Sequence, residues 1–128
     1  MSKPKLVMVS GLLDQLGLDV SDMFDVTRVQ NLDADAEAVE AIAGDVVAMA
    51  TGGHGLHVNG AVMDRFPNLK IISNFGVGYD AIDAAAAGER GVIVTNTPDV
   101  LTEEVADTTL GLLIMTVREL GRAEQYLR

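Results

Sequence analysis

Five short apolar runs, most of them rich in β-branched residues, recur along the 128 residues: 6–10 (LVMVS), 25–29 (DVTRV), 45–50 (DVVAMA), 69–75 (LKIISNF) and 92–96 (VIVTN). Segments with helical apolar spacing separate them. The clearest are 34–44 (ADAEAVEAIAG) and 81–91 (AIDAAAAGERG), closed by Gly44 and Gly91; 60–66 (GAVMDRF) is shorter and 12–24 (LLDQLGLDVSDMF) weaker. Alternating strand and helix implies right-handed crossovers and a parallel sheet covered on both faces. With 48% hydrophobic residues, the chain has enough apolar surface for one compact core and no room for a second full domain.

The expected fold is therefore α/β, a flavodoxin-like doubly wound five-stranded parallel sheet in the order 2-1-3-4-5, followed by a long C-terminal helix. Residues 1–100 form the sheet domain in this reading. Residues 101–128 read as one helix, interrupted only by Gly111 and Gly121, with Thr102 able to cap it and Glu103 and Glu104 at the positive end of its dipole. Its middle, 110–117 (LGLLIMTV), is apolar nearly all round and demands burial on more than one side.

A net charge of −10 argues against nucleic acid or an anionic membrane surface as partner. The absence of cysteine excludes disulfides, thiolate nucleophiles and thiolate-bound metals. No run reaches the roughly 18 uninterrupted apolar residues of a membrane span. The N-terminal apolar stretch is cut short by Asp14 and lacks a cleavage site, so it reads as a strand rather than a secretory signal, and the cytoplasm is the expected compartment.

Residues 74–81 (NFGVGYDA) carry G-x-G-x-x-A between a strand and a helix. A dinucleotide-binding fingerprint would follow the first strand of its unit and find a carboxylate at the end of the next strand. Here the loop follows the fourth strand, and the fifth ends in Asn96 and Thr97. The glycines instead give backbone freedom and close approach, so that the N–H groups of Val77 and Gly78 can face a small anion; a plain tight turn is the alternative. A second loop, 51–55 (TGGHG), follows the third strand. In the order 2-1-3-4-5 both loops open at the same carboxyl edge, where α/β sheets bind ligands.

The stretch LKIISNFGVGYDAIDAAAAGERGVIVTNTPDVLTEEVADTTLGLLIMTVREL resembles the D-isomer-specific 2-hydroxyacid dehydrogenases, particularly the glyoxylate and hydroxypyruvate reductase branch. FGVGYDAID, RGVIVTNTPDVLTEEVAD and an apolar helix occur in the family's order, and weaker similarity through TGGHG extends to the N-terminus. The resemblance implies a flavodoxin-like substrate domain for a small 2-oxo or 2-hydroxy acid, with NAD or NADP held by a separate domain that follows these residues. It implies Val77 and Gly78 for the substrate carboxylate, Gly53 and His54 on the neighbouring loop, and Leu101 with Val105 against the nicotinamide; Val105 departs from the Thr or Ala of many relatives. The family's catalytic Arg, Glu and His lie in segments without counterpart here, so no catalytic residue is assigned, and neither activity nor tight cofactor binding is expected of the chain alone. The alternative is a non-catalytic small-carboxylate-binding or dimerisation module. Either way, association through residues 110–117, most simply as a homodimer, is expected.

The remaining polar candidates read as structural. His54 and His57, three apart without a partner carboxylate or thiolate, make no metal site. Asp80 and Asp83 suit helix N-caps better than an acid–base pair, and the six methionines suit core filling. A phosphoryl-receiver reading fails because no acidic pair ends the first strand at Ser10 and no lysine ends the fifth.

Overall fold

β-branched and aliphatic runs become strands where the expected alternation places them. The computed structural model describes residues 2–9, 17, 19–52 and 56–128. Its strands are β1 (Lys5–Val9), β2 (Asp25–Val29), β3 (Val46–Gly52), β4 (Ile71–Phe75) and β5 (Ile93–Thr95), all parallel and ordered β2-β1-β3-β4-β5. Between them lie α1 (Ala36–Ile42), α2 (Gly60–Asp64) and α3 (Ala84–Glu89); after β5 come α4 (Thr102–Val117) and α5 (Leu120–Leu127). The expected helix over 12–24 falls largely outside the described residues.

The chain divides into two compact units, Met1–Pro98 and Asp99–Arg128. In the first, the pleat sends alternate side chains to opposite faces. Val7, Val9, Met49 and Ile72 join Val39 of α1, Met63 of α2, Phe66 and Ala87 of α3 in one core cluster. Leu6, Met8 and Ala48 start a second cluster on the other face, with Val20 and Phe24 packed against it. Phe66 is 2% exposed and, among the described residues, is the largest of the fully buried side chains, so it anchors the first cluster.

Local chemistry sets the helix ends. Asn59 caps α2 by accepting from Val62 N–H at 3.0 Å, and Asp83 caps α3 by accepting from Ala86 N–H at 2.9 Å. Gly91, at φ 68, ends α3 as a left-handed residue that lets Val92 N–H reach the Ala87 carbonyl at 2.9 Å. Gly44 does not close α1; it lies in a 3₁₀ turn, Ala43–Asp45. Arg90 links α3 to α2 through Asp64 at 2.8 and 3.1 Å, and this hydrogen-bonded pair holds the Asp64 carboxyl below its ordinary range and the Arg90 guanidinium above its own. Both groups face solvent, so the pair orients the helices more than it stabilises them.

In the second unit the C-terminal run is two helices rather than one. The break falls at Arg118 and Glu119, the latter left-handed at φ 49, and at neither glycine. Arg118 N–H bonds the Ile114 carbonyl at 3.0 Å and Glu119 N–H the Thr116 carbonyl at 3.2 Å, which winds up the last turn of α4. Leu101, not Thr102, holds the N-cap position, and it makes no side-chain cap bond.

Candidate functional site

The carboxyl edge of the sheet fixes the 76–78 loop from three strands. At the end of β3, Thr51 is buried, and its hydroxyl donates to Asn74 Oδ1 at 3.2 Å. Thr51 and Asn74 are register partners, as are Gly52 and Phe75 one step further, so both strands release their chains side by side. Asn74 Nδ2 then donates to the Gly78 carbonyl at 2.9 Å. Beyond β5, Asn96 Nδ2 donates to the Val77 carbonyl at 2.7 Å, and Thr97 N–H donates to the Gly76 carbonyl at 3.0 Å.

All three loop carbonyls are thus drawn toward the strand ends. Across a trans peptide the C=O of one residue and the N–H of the next point in opposite directions, and every described peptide is trans. Val77 N–H therefore points away from Thr97, and Gly78 N–H away from Asn96. Among the described residues neither N–H donates to a protein acceptor. The loop therefore carries two adjacent amide donors that face away from the strand ends, the kind of backbone pair that can receive a small anion.

Gly76 and Gly78 serve close approach, not an unusual backbone. The only glycines with positive φ among the described residues are Gly17 and Gly91, which corrects the expectation of special backbone freedom in the loop. A Cβ on Gly76 would lie 3.2 Å from Asn74 Nδ2 and 3.4 Å from the Gly78 carbonyl, pressing on a hydrogen bond that braces the loop. A Cβ on Gly78 would meet only Asp80 Oδ2, at 2.9 Å, the free end of an exposed side chain that can swing aside. Gly76→Ala is accordingly expected to cost about 1 kcal/mol, and Gly78→Ala within about 0.5 kcal/mol. Denaturant unfolding that ranks them the other way would overturn this account.

The geometry also excludes a dinucleotide fingerprint. Ala81 does not open the helix: its carbonyl accepts from Val58 N–H at 2.8 Å, and α3 begins only at Ala84. The Ala86 N–H of α3, which would face a pyrophosphate, is capped by Asp83. The described residues therefore do not fit the phosphates of a nicotinamide cofactor. Asp83 is an N-cap as expected; Asp80 is not.

Gly53 and His54 lie outside the described residues. His57 is exposed, and among the described residues no group of three His, Cys, Asp or Glu converges as metal ligands. In the second unit, Leu101 and Val105 are exposed and sit one helical turn apart, with Val105 N–H bonded to the Leu101 carbonyl at 3.0 Å, so they share a face. Sequence reasoning overlooked Thr51, Asn74, Asn96 and Thr97 as the brace; amide side chains ending two adjacent strands, on either side of a glycine loop, were the available signal. Next to this edge a cavity of about 360 Å³ lies on the second face of the sheet, lined by Met8, Phe24, Ala50 and Ile71 and reaching Thr51, Asn74 and Thr97.

Comparison with known proteins agrees with this architecture. Residues 8–125 match the model of the D-isomer specific 2-hydroxyacid dehydrogenase catalytic domain. The chain is 39% identical over 128 residues to glyoxylate/hydroxypyruvate reductase B of Citrobacter koseri, covering 98% of this chain and 39% of that protein. It resembles the crystal structure of an NADPH-dependent glyoxylate/hydroxypyruvate reductase from Sinorhizobium meliloti, solved with NADP and malonate, with a TM-score of 0.74 and 45% identity over 99% of this chain and 38% of that one. A 2-hydroxyacid dehydrogenase from Ketogulonicigenium vulgare gives a TM-score of 0.79 at 38% identity, over 100% of this chain and 40% of that one. The chain spans about two fifths of the length of these relatives. With the match running through nearly all of its residues and through the braced glycine loop itself, the chain belongs to the D-isomer-specific 2-hydroxyacid dehydrogenase family.

Proposed function

We propose that these residues are the substrate-binding part of an NAD(P)-dependent D-2-hydroxyacid dehydrogenase acting on a small 2-oxo acid such as glyoxylate or hydroxypyruvate. The observation that carries the reading is the pair of amides at Val77 and Gly78, turned away from the strand ends because the carbonyls of the same two peptides, those of Gly76 and Val77, are bound there. Such a pair binds a carboxylate without a charged side chain and fixes the plane of the acid, which sets the direction of the adjacent carbonyl carbon. By resemblance, Gly53 and His54 complete the substrate loop, and Leu101 and Val105 offer an apolar surface to the nicotinamide. The nicotinamide, when bound, supplies the hydride. Family membership and the S. meliloti complex with NADP support the cofactor class.

Binding of glyoxylate to the 128-residue chain is expected to be weak, in the millimolar range, because two neutral donors must hold an anion against a net charge of −10. An amide-resolved NMR titration is the test. The Val77 and Gly78 amides are expected to shift first; saturating shifts elsewhere with these two unmoved would refute the placement.

A further inference from the structure

The three carbonyls of the loop are not held alike. That of Gly76 takes the backbone N–H of Thr97 at 3.0 Å, with Asn74 Nδ2 farther off at 3.5 Å, so no one side chain decides its direction. That of Gly78 is held by Asn74, itself fixed by the buried Thr51 hydroxyl. That of Val77 has, among the described residues, a single partner, Asn96 Nδ2 at 2.7 Å. The same peptide plane carries Gly78 N–H. Because Gly78 has no Cβ, this plane can rotate at little steric cost once its carbonyl is released.

We infer that Asn96 is a positioning residue: by holding the Val77 carbonyl it aims Gly78 N–H outward and so sets the strength of the amide pair for a carboxylate. This rests on the carboxylate-binding reading above. It also gives a chemical reason for a carboxamide at the end of β5, where a dinucleotide site would use a carboxylate. An Asp there, when ionised, has no proton to donate to the Val77 carbonyl and would set acceptor against acceptor.

The test is an amide-resolved titration of the 128-residue chain with sodium glyoxylate, for the unmodified protein and for Asn96→Ala, Asn96→Asp and Asn96→Gln. Asn96→Ala is expected to weaken binding about five- to tenfold, as for one lost hydrogen bond, with the Gly78 amide losing most of its ligand-induced shift while Val77 keeps its own. Asn96→Asp, of the same shape, is expected to bind more weakly still, and Asn96→Gln to recover part of the loss. The isosteric Asp variant decides the matter if the Ala variant does not fold. Unchanged affinity and shifts in folded Asn96→Ala and Asn96→Asp would overturn the positioning role, as would equal loss at Val77 and Gly78. If the unmodified chain shifts at neither amide, the carboxylate reading itself falls.

Discussion

Substrate-dependent oxidation of NADH or NADPH by the 128-residue chain is expected to be undetectable with glyoxylate or hydroxypyruvate. In the proposed role the amide pair orients a carboxylate, but orientation is one part of hydride transfer to a 2-oxo acid. The alkoxide that forms needs a proton and a nearby positive charge, each worth about 10²–10⁴ in rate. Neither comes from the described residues at the loop. Arg65 is engaged by Asp33 and Glu40, and Arg90 by Asp64. The cofactor fares no better: Asp83 occupies the α3 N-terminus, and Glu103 and Glu104 fill the first turn of α4. The assay is the absorbance of the reduced nicotinamide, with and without 2-oxo acid, on protein freed of host reductases. Turnover that scales with chain concentration and survives further purification would show that these residues carry a proton donor and a cofactor site that the geometry does not reveal.

What could be read from the sequence, and what could not, follows from how local each signal is. Strand order was legible because alternation with helices leaves few topologies for a parallel sheet. β2 falls on the expected residues, 25–29, because its hydrophobic run and its pairing partner have the same length. β5 is shorter than its apolar run: Ile93–Thr95 pairs with only three residues of β4, and Val92 belongs to the turn after α3. Gly91 was legible as a stop because glycine is the residue that takes φ 68 without penalty. The break at Glu119 was not, since a left-handed glutamate has no side-chain signature and the glycines nearby are better candidates by propensity.

The candidate site divides in the same way. The glycines at 76 and 78 announce a backbone-lined loop, but their purpose emerges only from what a Cβ would strike: Asn74 and the Gly78 carbonyl in one case, Asp80 in the other. The brace is non-local. Asn96 reaches a carbonyl 19 residues earlier, and Thr51 an amide 23 residues later, so both bonds exist only once β3, β4 and β5 lie side by side. No sequence period encodes such pairs. The direction of the Val77 and Gly78 amides is a consequence of the sheet, transmitted through the Gly76 and Val77 carbonyls.

The second large effect is expected at α4. Self-association through residues 110–117 should be measurable at about tens of micromolar chain. Leu110, Leu113, Ile114 and Val117 follow helical spacing down one side, Val105, Leu112 and Met115 down another, and all seven are exposed. Burying several such side chains from each of two helices yields a gross gain of order 10 kcal/mol. Association costs several kcal/mol of that, leaving a net within reach of micromolar affinity. A two-fold pairing satisfies both copies with one surface, since each helix presents the same patch to the other. Leu113→Glu places a charge in the middle of the first stripe and is expected to shift the chain to monomer, weakening association at least about 100-fold, because an unpaired carboxylate would have to be desolvated for the interface to close. If Leu113 faces only a partner, the variant keeps the melting behaviour of the dissociated chain; if it belongs to the monomer's core, the variant unfolds. Light scattering that finds the unmodified chain monomeric at these concentrations, with no uptake of a hydrophobic dye, would mean that the apolar helix is already covered within one molecule, and the association would be refuted.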